Sequence, residues 1–600
     1  MALHKYDYLF AIGTIFAFLD AWNIGANDVA NSWASSVSSR SLTYIQAMSG
    51  AAILEFVGAV GVGGRVADTI RTKVVDIGAF EQAPALLMLG MVCAVIASSL
   101  YLTLATRIGM PVSTTHSILG GVLGMGFGAL GPSGIVWVGY KDDGSVDIKA
   151  GVIQVFLAWI IAPLLAGTAG AIIFSITKYG IMLRSNPTMK GLITIPLYFW
   201  LAGSLITMLL LWKGGDYEVH LTGAQIPGVI VAAGAGFGML VGFFLIPYFY
   251  RVVIKEDWQI KWYEFIKGPM LLRRGEVPPP PADYRGVVRD FYEGHLDREE
   301  LEAERARQAA TVNSENDVEA QHEKKTVVNR ATSDSGISND APAHARAPAT
   351  EANDDVPEMN MYGKHIRKNG IIGPRPAGNL LAPGVMFWWL KWALFRGVDI
   401  DIHREQAKKG ALTGDLAEIH ARGDHFDNKT EYLYTFLQIL TAASASFVHG
   451  ANDVANAVGP YASIYQVWHT GEITGKKSTV PVWILAFGGI GIAIGAWTFG
   501  YRIMSNLGNK ITLMSPSRGF SMELGSVIAV VVATRLELPV STTQCITGAI
   551  VGVGLCNGDW RAINWRMVAW IYTGWIITVP VAAVISGCLM GAITYAPNWS

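Results

Sequence analysis

The sequence predicts an all-α polytopic membrane protein, built as an inverted repeat of two related halves with about 12 membrane segments, some of them broken or re-entrant helices. Of its 600 residues, 51% are hydrophobic and only 16% are charged, and Gly (66) and Trp (19) are frequent. This composition is typical of membrane proteins. The motif Gly-Ala-Asn-Asp-Val-Ala-Asn occurs at residues 25–31 and again at 450–456. Each copy lies on a long apolar segment, which indicates that the two halves are related.

A second motif is repeated in the same order. Pro-Val-Ser-Thr-Thr occupies residues 111–115 and 539–543. Asp28 and Ser113 are 85 residues apart, and Asp453 and Ser541 are 88 residues apart. Because chance matches would not keep both the order and the spacing, the chain is predicted to consist of two related halves.

Ten apolar stretches each have a length near the about 20 residues that a helix needs to cross a bilayer core. Their predicted ranges are 7–38, 42–64, 84–106, 151–176, 191–212, 226–250, 432–462, 481–503, 519–535 and 565–592. Two more apolar stretches, 110–130 and 539–557, begin at the proline motif and are rich in glycine. This pattern predicts broken or re-entrant helices, packed in protein or lining a cavity.

The chain is predicted to have three regions: a first membrane half with additional helices at 1–250, a hydrophilic loop at 251–430, and a second membrane half at 431–600. From about 273 to 374 the loop has few apolar residues, which predicts that it is largely disordered. Basic residues on both sides place the loop in the cytoplasm. The stretch 380–398 could cross the membrane, but a crossing would destroy the inverted topology, so we interpret it as an interfacial helix. Both termini are then expected outside the cell.

The repeated pairs Asn27–Asp28 and Asn452–Asp453 supply carboxylate and amide oxygens within apolar segments. We expect a helix interruption at each pair, because freed backbone carbonyls would complete a set of hard oxygen ligands for Na⁺ or Li⁺. Asn and Asp can also cap helix ends. An ionisable side chain in a membrane segment nevertheless indicates function by default.

The Pro-Val-Ser-Thr-Thr motifs place hydroxyls at the start of a helix, where free N–H groups and the helix dipole attract anions. Neither motif contains Lys or Arg, and the nearest, Arg107 and Arg535, lie four residues before each proline. A bound anion would therefore depend on co-bound cations. Two copies facing each other across a pseudo-two-fold axis predict one central co-transport site.

An enzyme is a possible alternative, since Asp28, Ser113 and His116 contain the ingredients of a nucleophilic triad. In the second copy, however, Gln544 stands at the position of His116. The hydroxyl cluster is repeated and the base is not, so the protein is predicted not to be an enzyme. No HExxH or Walker sequence occurs, which excludes an ATP-driven pump. A channel is a further alternative, but paired oxygen-rich sites favour alternating access.

Other polar residues lie within the apolar segments. Glu55 and Glu523 are candidates either for transport or for a buried structural role. They do not align with each other across the repeat. His449 and Gln438 are interpreted as packing or hydrogen-bonding residues.

The two duplicated motifs, separated by a large hydrophilic loop, resemble those of the inorganic phosphate transporter (PiT) family, and in particular its fungal-type sodium/phosphate symporters of the plasma membrane. The resemblance covers about residues 7–250 and 430–592. It implies a multi-pass plasma-membrane homodimer in the lipid bilayer that carries inorganic phosphate with sodium ions into the cell. No cofactor besides co-transported Na⁺ and no nucleic-acid partner are expected. A proton-coupled phosphate carrier, a broader oxyanion (sulfate) carrier and a phosphate-sensing receptor are the alternatives.

The resemblance also implies site residues. The implied phosphate ligands are Asn27, Asp28, Ser113, Thr114, Thr115, Asn452, Asp453, Ser541, Thr542 and Thr543. The implied sodium ligands are Asn27, Asp28, Ser113, Thr115, Asn452, Asp453, Ser541 and Thr543. Glu55 and Glu523 match acidic positions that are regarded as important for transport in this family. Because Gln544 replaces His116 in the second copy, full symmetry of the site is not expected.

Overall fold

The computed structural model describes residues 3–64, 74–140, 144–147, 151–213, 221–282, 284, 286–310, 370–473, 480–536 and 538–596. Of the stretch from about 273 to 374 predicted to be largely disordered, residues 311–369 lie outside this description. The chain divides into two compact units, Met1–His295 with Arg396–Ser600, and Leu296–Phe395. In the described part of the smaller unit, residues 298–310 are helical, and Trp388 Nε1 donates a hydrogen bond of 3.0 Å to the Gly373 carbonyl.

The first half contains seven described α-helices and one two-stranded antiparallel sheet. The helices are α1 (Asp7–Ser38), α2 (Tyr44–Val62), α3 (Pro84–Arg107), α4 (Thr114–Leu130), α5 (Ile153–Thr177), α6 (Pro187–Lys213) and α7 (Gln225–Phe249). The sheet, between α4 and α5, pairs β1 (Gly139–Tyr140) with β2 (Val146–Asp147). Short π-helical turns at Lys178–Met182 and Tyr250–Ile254 extend α5 and α7.

The remaining labelled helices follow residue 370. They are α8 (Pro383–Asp399), α9 (Ile402–Ala407), α10 (Leu416–His420), α11 (Asn428–Thr470), α12 (Val482–Met504), α13 (Pro516–Arg535), α14 (Thr542–Leu555) and α15 (Trp565–Tyr595). Within the described residues, eight helices are long and apolar enough to cross a membrane, and α14 is a shorter apolar helix. The prediction of an all-α polytopic membrane protein is confirmed.

Helices of each half pack against helices of the other half in reciprocal pairs. Helix α1 packs against α12, and α11 packs against α2, so each motif helix lies beside the second helix of the other half. In the same way α15 packs against α4, and α5 packs against α14. Reciprocal pairs of this kind are what a pseudo-two-fold axis between two repeats produces. The predicted inverted repeat is confirmed.

The proline motifs break the helices as predicted. Helix α3 ends at Arg107 and α4 begins at Thr114, with residues 111–113 not helical. The second copy repeats this geometry, since α13 ends at Arg535 and α14 begins at Thr542. Proline cannot donate a backbone hydrogen bond, and it disfavours the helical conformation of the preceding residue.

The interruption predicted at the Asn-Asp pairs is wrong. Helix α1 continues through Asn27 and Asp28, and α11 continues through Asn452 and Asp453. Neighbouring helices supply hydrogen-bond partners for Asn27, so this polar side chain does not compete with its own helix backbone. Only side chains, and not freed carbonyls, are therefore available as ligands at these pairs.

Helices α1 and α12 approach each other through two glycines. A Cβ atom on Gly25 would lie 1.9 Å from the Ile492 carbonyl oxygen, and one on Gly495 would lie 1.8 Å from the Trp22 carbonyl oxygen. Small residues allow this backbone-to-backbone contact, as in many membrane helix pairs. The contact fixes the position of the motif in α1 relative to the second half.

The connection before α11 is held against the membrane helices by buried polar contacts. Gln406 Nε2 donates hydrogen bonds of 2.9 Å to Ser38 Oγ and of 2.9 Å to the Met504 carbonyl. His420 is 5% exposed, and its Nε2 lies 2.6 Å from the Asn509 carbonyl oxygen. This part of the predicted 251–430 loop is therefore ordered against the membrane half.

His420 is expected to weaken the fold in mild acid. Burial lowers its pKa from 6.5 to about 4. The unfolded chain binds a proton near pH 6.5 and the folded chain does not, so stability falls as the pH falls through this interval, by up to about 3 kcal/mol at pH 4. His420→Gln, which keeps a side-chain donor, should flatten the pH dependence of thermal unfolding between pH 6.5 and 4. The exposed His469 provides the control, since His469→Gln should leave the profile unchanged. If the pH profile of His420→Gln equals that of the wild type, the acid sensitivity does not come from His420.

Candidate substrate and ion site

The two motif carboxylates lie at the centre of the larger unit. Asp28 on α1 is 1% exposed and Asp453 on α11 is 3% exposed. Each accepts a hydrogen bond from the first threonine of its own half. Thr114 Oγ1 donates to Asp28 Oδ2 at 2.7 Å, and Thr542 Oγ1 donates to Asp453 Oδ2 at 3.1 Å. The breaks in the helices thus bring the hydroxyls to the carboxylates.

Each carboxylate also accepts a hydrogen bond from the second threonine of the other half. Thr543 Oγ1 donates to Asp28 Oδ1 at 3.1 Å, and Thr115 Oγ1 donates to Asp453 Oδ1 at 3.4 Å. The four hydroxyls and the two carboxylates form one reciprocal network across the pseudo-two-fold axis. Six of the ten predicted phosphate ligands therefore lie together.

The final asparagine of each Gly-Ala-Asn-Asp-Val-Ala-Asn motif joins this network. Asn31 Nδ2 donates to Thr543 Oγ1 at 2.8 Å, and Asn456 Nδ2 donates to Thr115 Oγ1 at 3.1 Å. Both asparagines are buried. The sequence prediction did not include them, although their duplication was the signal that could have indicated them.

His449 was interpreted as a packing or hydrogen-bonding residue, but it lies between three carboxylates. Its Nδ1 is 2.6 Å from Glu55 Oε2, and its Nε2 is 2.9 Å from Asp453 Oδ2 and 3.5 Å from Asp28 Oδ2. Asp28, His449 and Asp453 offer atoms within 4.8 Å of one another, close enough to hold a metal ion. No signal in the repeat could have indicated this role, because Ile24 stands at the matching position of the first half.

Glu523 occupies a different place. It is 0% exposed and accepts hydrogen bonds from Ser35 on α1 at 2.5 Å and from Thr441 on α11 at 2.6 Å. Gln438, interpreted as a hydrogen-bonding residue, donates to it at 3.4 Å. Glu523 thus connects the two motif helices, whereas Glu55 reaches the central carboxylates through His449.

The two helix breaks differ in how they are held. Asn27 braces the first break, since its Nδ2 donates to the Met110 carbonyl at 3.1 Å and its Oδ1 accepts from the Val112 amide at 3.0 Å. Among the described residues, the matching Asn452 Nδ2 has no hydrogen-bond partner. The predicted ligand Asn27 therefore lies beside the first break, and its counterpart Asn452 is in a different environment.

The two serines of the breaks show the same asymmetry. Ser113 Oγ accepts a hydrogen bond of 3.2 Å from the His116 amide. Within the described part of the chain, Ser541 makes no side-chain cap on α14. The His116 ring bonds instead to Trp159 Nε1, at 3.3 Å from its Nδ1. Because Asp28 binds Thr114 and not Ser113, the three triad ingredients are not arranged as a catalytic triad.

Two inverted repeats whose broken helices meet at buried carboxylates define a membrane transporter. Comparison with known proteins identifies its family. A profile described as the phosphate transporter family (PHO4) matches residues 24–586. The chain belongs to this family and is a phosphate transporter.

Full-length relatives agree with this assignment. The chain is 58% identical to the phosphate-repressible phosphate permease pho-4 of Neurospora crassa, over 100% of this chain and 99% of that protein. It is 27% identical to the sodium-dependent phosphate transporter 1 of Rattus norvegicus, over 98% of this chain and 96% of that protein. A solved structure titled "The sodium-dependent phosphate transporter" has the same fold, with a TM-score of 0.62 and 24% identity over 98% of this chain and 100% of that chain.

Proposed function

We propose that this transporter carries inorganic phosphate into the cell together with sodium ions, by alternating access across the plasma membrane. The observation that carries the proposal is the reciprocal network in which Asp28 and Asp453 each accept hydroxyl donors from both halves. A site shared in this way cannot keep its geometry when one half moves relative to the other. Binding and conformational change are therefore coupled at the same atoms.

The charges at the site explain why a cation must accompany phosphate. Asp28, Asp453 and Glu55 surround a single imidazole, that of His449. A phosphate anion entering this buried region would face net negative charge, and like charges repel strongly where water is excluded. Sodium ions bound by the carboxylates, with hydroxyl and amide oxygens as further ligands, remove this repulsion. We therefore assign the predicted sodium ligands to two sites, one beside each carboxylate.

Phosphate itself would bind between the helix starts at Thr114 and Thr542. The first N–H groups of a helix lack intrahelical acceptors, and the helix dipole adds positive potential at this end. The hydroxyls of Ser113, Ser541 and the threonines supply further donors. When sodium binds the carboxylates, threonine hydroxyls now donating to them become available to phosphate, which links the two binding events.

The difference in bracing between the two helix breaks indicates how the site changes between its two conformations. In this conformation Asn27 braces the first break, while Asn452 leaves the second unbraced. In the opposite conformation of an inverted repeat, the two halves exchange their arrangements. Asn452 would then brace the backbone of residues 538–540, and Asn27 would release that of 110–112.

The relatives support sodium as the coupling ion, since the name of the rat protein describes sodium dependence. We also propose that the central loop is cytoplasmic, that both termini are extracellular and that the protein is a homodimer. These three proposals rest on the charge pattern of the sequence and on the family.

Radiolabelled phosphate uptake into proteoliposomes that contain the purified chain tests the proposal. We expect uptake with an inward sodium gradient, little uptake when choline replaces sodium, and no competition by excess sulfate. Uptake driven equally well by a proton gradient in choline would contradict sodium coupling. Strong competition by sulfate would instead indicate a general oxyanion carrier.

A further inference from the structure

A further buried carboxylate lies on α1, two helical turns before Asp28. Asp20 is 0% exposed within a membrane-spanning helix, and its eight-residue separation from Asp28 corresponds to about 12 Å along the helix axis. An ionisable group in this position is costly unless it is paired. In the described part of the chain, no basic side chain interacts electrostatically with Asp20. A negative charge on Asp20 therefore has no counter-charge among the described residues.

The surroundings of Asp20 consist of serine hydroxyl and backbone oxygen atoms, which leave its carboxyl group incompletely hydrogen-bonded. Ser99 Oγ lies 3.5 Å from Asp20 Oδ1, but it donates its hydrogen to the Phe16 carbonyl at 2.9 Å. A serine hydroxyl has only one proton, which it shares between these two acceptors, so the longer bond from Ser99 to Asp20 is weak. Among the described residues, Asp20 Oδ2 and Ser98 Oγ are both buried without a hydrogen-bond partner. Ser98 also lies beside the carboxyl group.

The second repeat shows that the fold does not need these groups. Aligning Asp28 with Asp453 places Ala445 at the position of Asp20 and Val448 at the position of Asn23. Helix α11 forms with these apolar residues. A carboxylate present in only one of two equivalent helices is thus a special feature of the first half, which helix formation alone does not require.

Polar contacts between α1 and α3 extend from Asp20 toward the substrate site in a row, which we call the α1–α3 seam. Its α1 members, Asp20, Asn23 and Asn27, are three and four residues apart and share one helix face. Asn23 Nδ2 donates to the Ser99 carbonyl at 3.2 Å and to Thr103 Oγ1 at 3.0 Å.

The seam ends at the first helix break. Asn27 Nδ2 donates to Thr106 Oγ1 at 3.1 Å and to the Met110 carbonyl at 3.1 Å, and its Oδ1 holds the Val112 amide. The seam therefore extends from Asp20 to the segment that positions Ser113 and Thr114.

We propose that Asp20, Ser98 and Ser99 bind a further sodium ion, separate from the two beside Asp28 and Asp453. All of the donor atoms are hard oxygens, the type that alkali cations prefer. One ion at this place neutralises the carboxylate and uses the unpartnered Oδ2 and Ser98 Oγ. The inference rests on the proposed sodium coupling and adds one cation to it, held along the seam that braces the first break.

Equilibrium binding of radiolabelled ²²Na⁺ to the purified full chain tests the inference. We expect Asp20→Ala, which copies the residue of the second repeat, to bind one Na⁺ fewer per chain than the wild type. Its phosphate uptake should remain sodium-dependent with a lower Hill coefficient for sodium. Glu81→Gln, which removes an exposed carboxylate, is the control and should bind the wild-type number of ions.

A second variant tests the inference even if Asp20→Ala does not fold. Ser98→Ala removes a hydroxyl that bonds to none of the described residues, so the fold should be retained while the dissociation constant of one Na⁺ rises about tenfold. If both variants bind sodium as the wild type does and uptake still requires sodium, the inference is wrong although the proposed function stands. The inference is also wrong, and the proposed function again stands, if Asp20→Ala changes only the pH dependence of uptake. Asp20 would then bind a proton and not a sodium ion. If the wild type binds no sodium, both proposals are wrong.

Discussion

Asp453→Asn is expected to lower the initial rate of sodium-driven phosphate uptake by about 100-fold, because removing one charge from a buried binding site costs about 2 to 5 kcal/mol of binding free energy. The substitution keeps the shape of the side chain and one oxygen that can accept from either Thr542 or Thr115, and the NH2 that replaces the other oxygen can donate to the remaining hydroxyl. The chain should therefore fold and reach the membrane. What is lost is the negative charge that would bind sodium, so phosphate would enter a site without its compensating cation.

Asp28→Asn should give a loss of similar size, since Asp28 occupies the equivalent place across the pseudo-two-fold axis. The measurement is uptake into proteoliposomes at matched protein content, with the elution profile of each variant as a check on folding. Glu81→Gln, which changes an exposed carboxylate, should transport normally. Near-normal uptake by either aspartate variant would show that the carboxylate pair does not bind the coupling ion. Loss of the folded protein would instead indicate that the carboxylates mainly stabilise the structure.

Gly25→Ala is expected to prevent the correct packing of α1 against α12. The added Cβ would lie 1.9 Å from the Ile492 carbonyl oxygen, 2.7 Å from the Ile492 carbonyl carbon and 2.9 Å from the Ala496 amide nitrogen. These are backbone atoms that no change of rotamer can move, so the two helices must separate. Overpacking usually costs about 1 to 3 kcal/mol and sometimes more. We expect a cost at or above the upper limit of this range, because a whole helix interface must shift.

Size-exclusion chromatography of fluorescently tagged protein in detergent measures this effect. Most of the Gly25→Ala protein should elute as aggregate, and Gly495→Ala should behave in the same way because its Cβ would lie 1.8 Å from the Trp22 carbonyl oxygen. Gly61→Ala is the matched control in another membrane helix, since its Cβ would meet no atom of the described residues within 4 Å. A monodisperse Gly25→Ala protein with a normal melting temperature would show that the contact between α1 and α12 is not as close as described.

Local sequence was a good guide to the helix breaks and a poor one at the Asn-Asp pairs. Proline lacks an N–H donor and disfavours the helical conformation of the preceding residue, which favours the breaks before Thr114 and Thr542, although Pro460 lies inside the continuous helix α11. Asn27, by contrast, remains helical because Thr106, Met110 and Val112 satisfy its side chain. Those partners come from another part of the chain. A prediction from local residues could not include them.

The same distinction applies to the candidate site. Duplication identified Asp28, Asp453 and the threonines, because two copies of one motif are visible in the sequence. It could not identify His449 or Asp20, which have no polar counterpart in the other half. Their roles depend on contacts that break the symmetry of the repeat.

The sequence alone determined the membrane class, the inverted repeat and the positions of the helix breaks, because composition, duplication and the geometry of proline act locally or are visible as a pattern. The tertiary structure decided which residues meet. The contact of His449 with Glu55 joins residues 394 positions apart, and that of Thr543 with Asp28 joins residues 515 positions apart. Such contacts arise when helices from the two halves pack together, since only packing fixes the distance and direction between side chains so far apart in the chain.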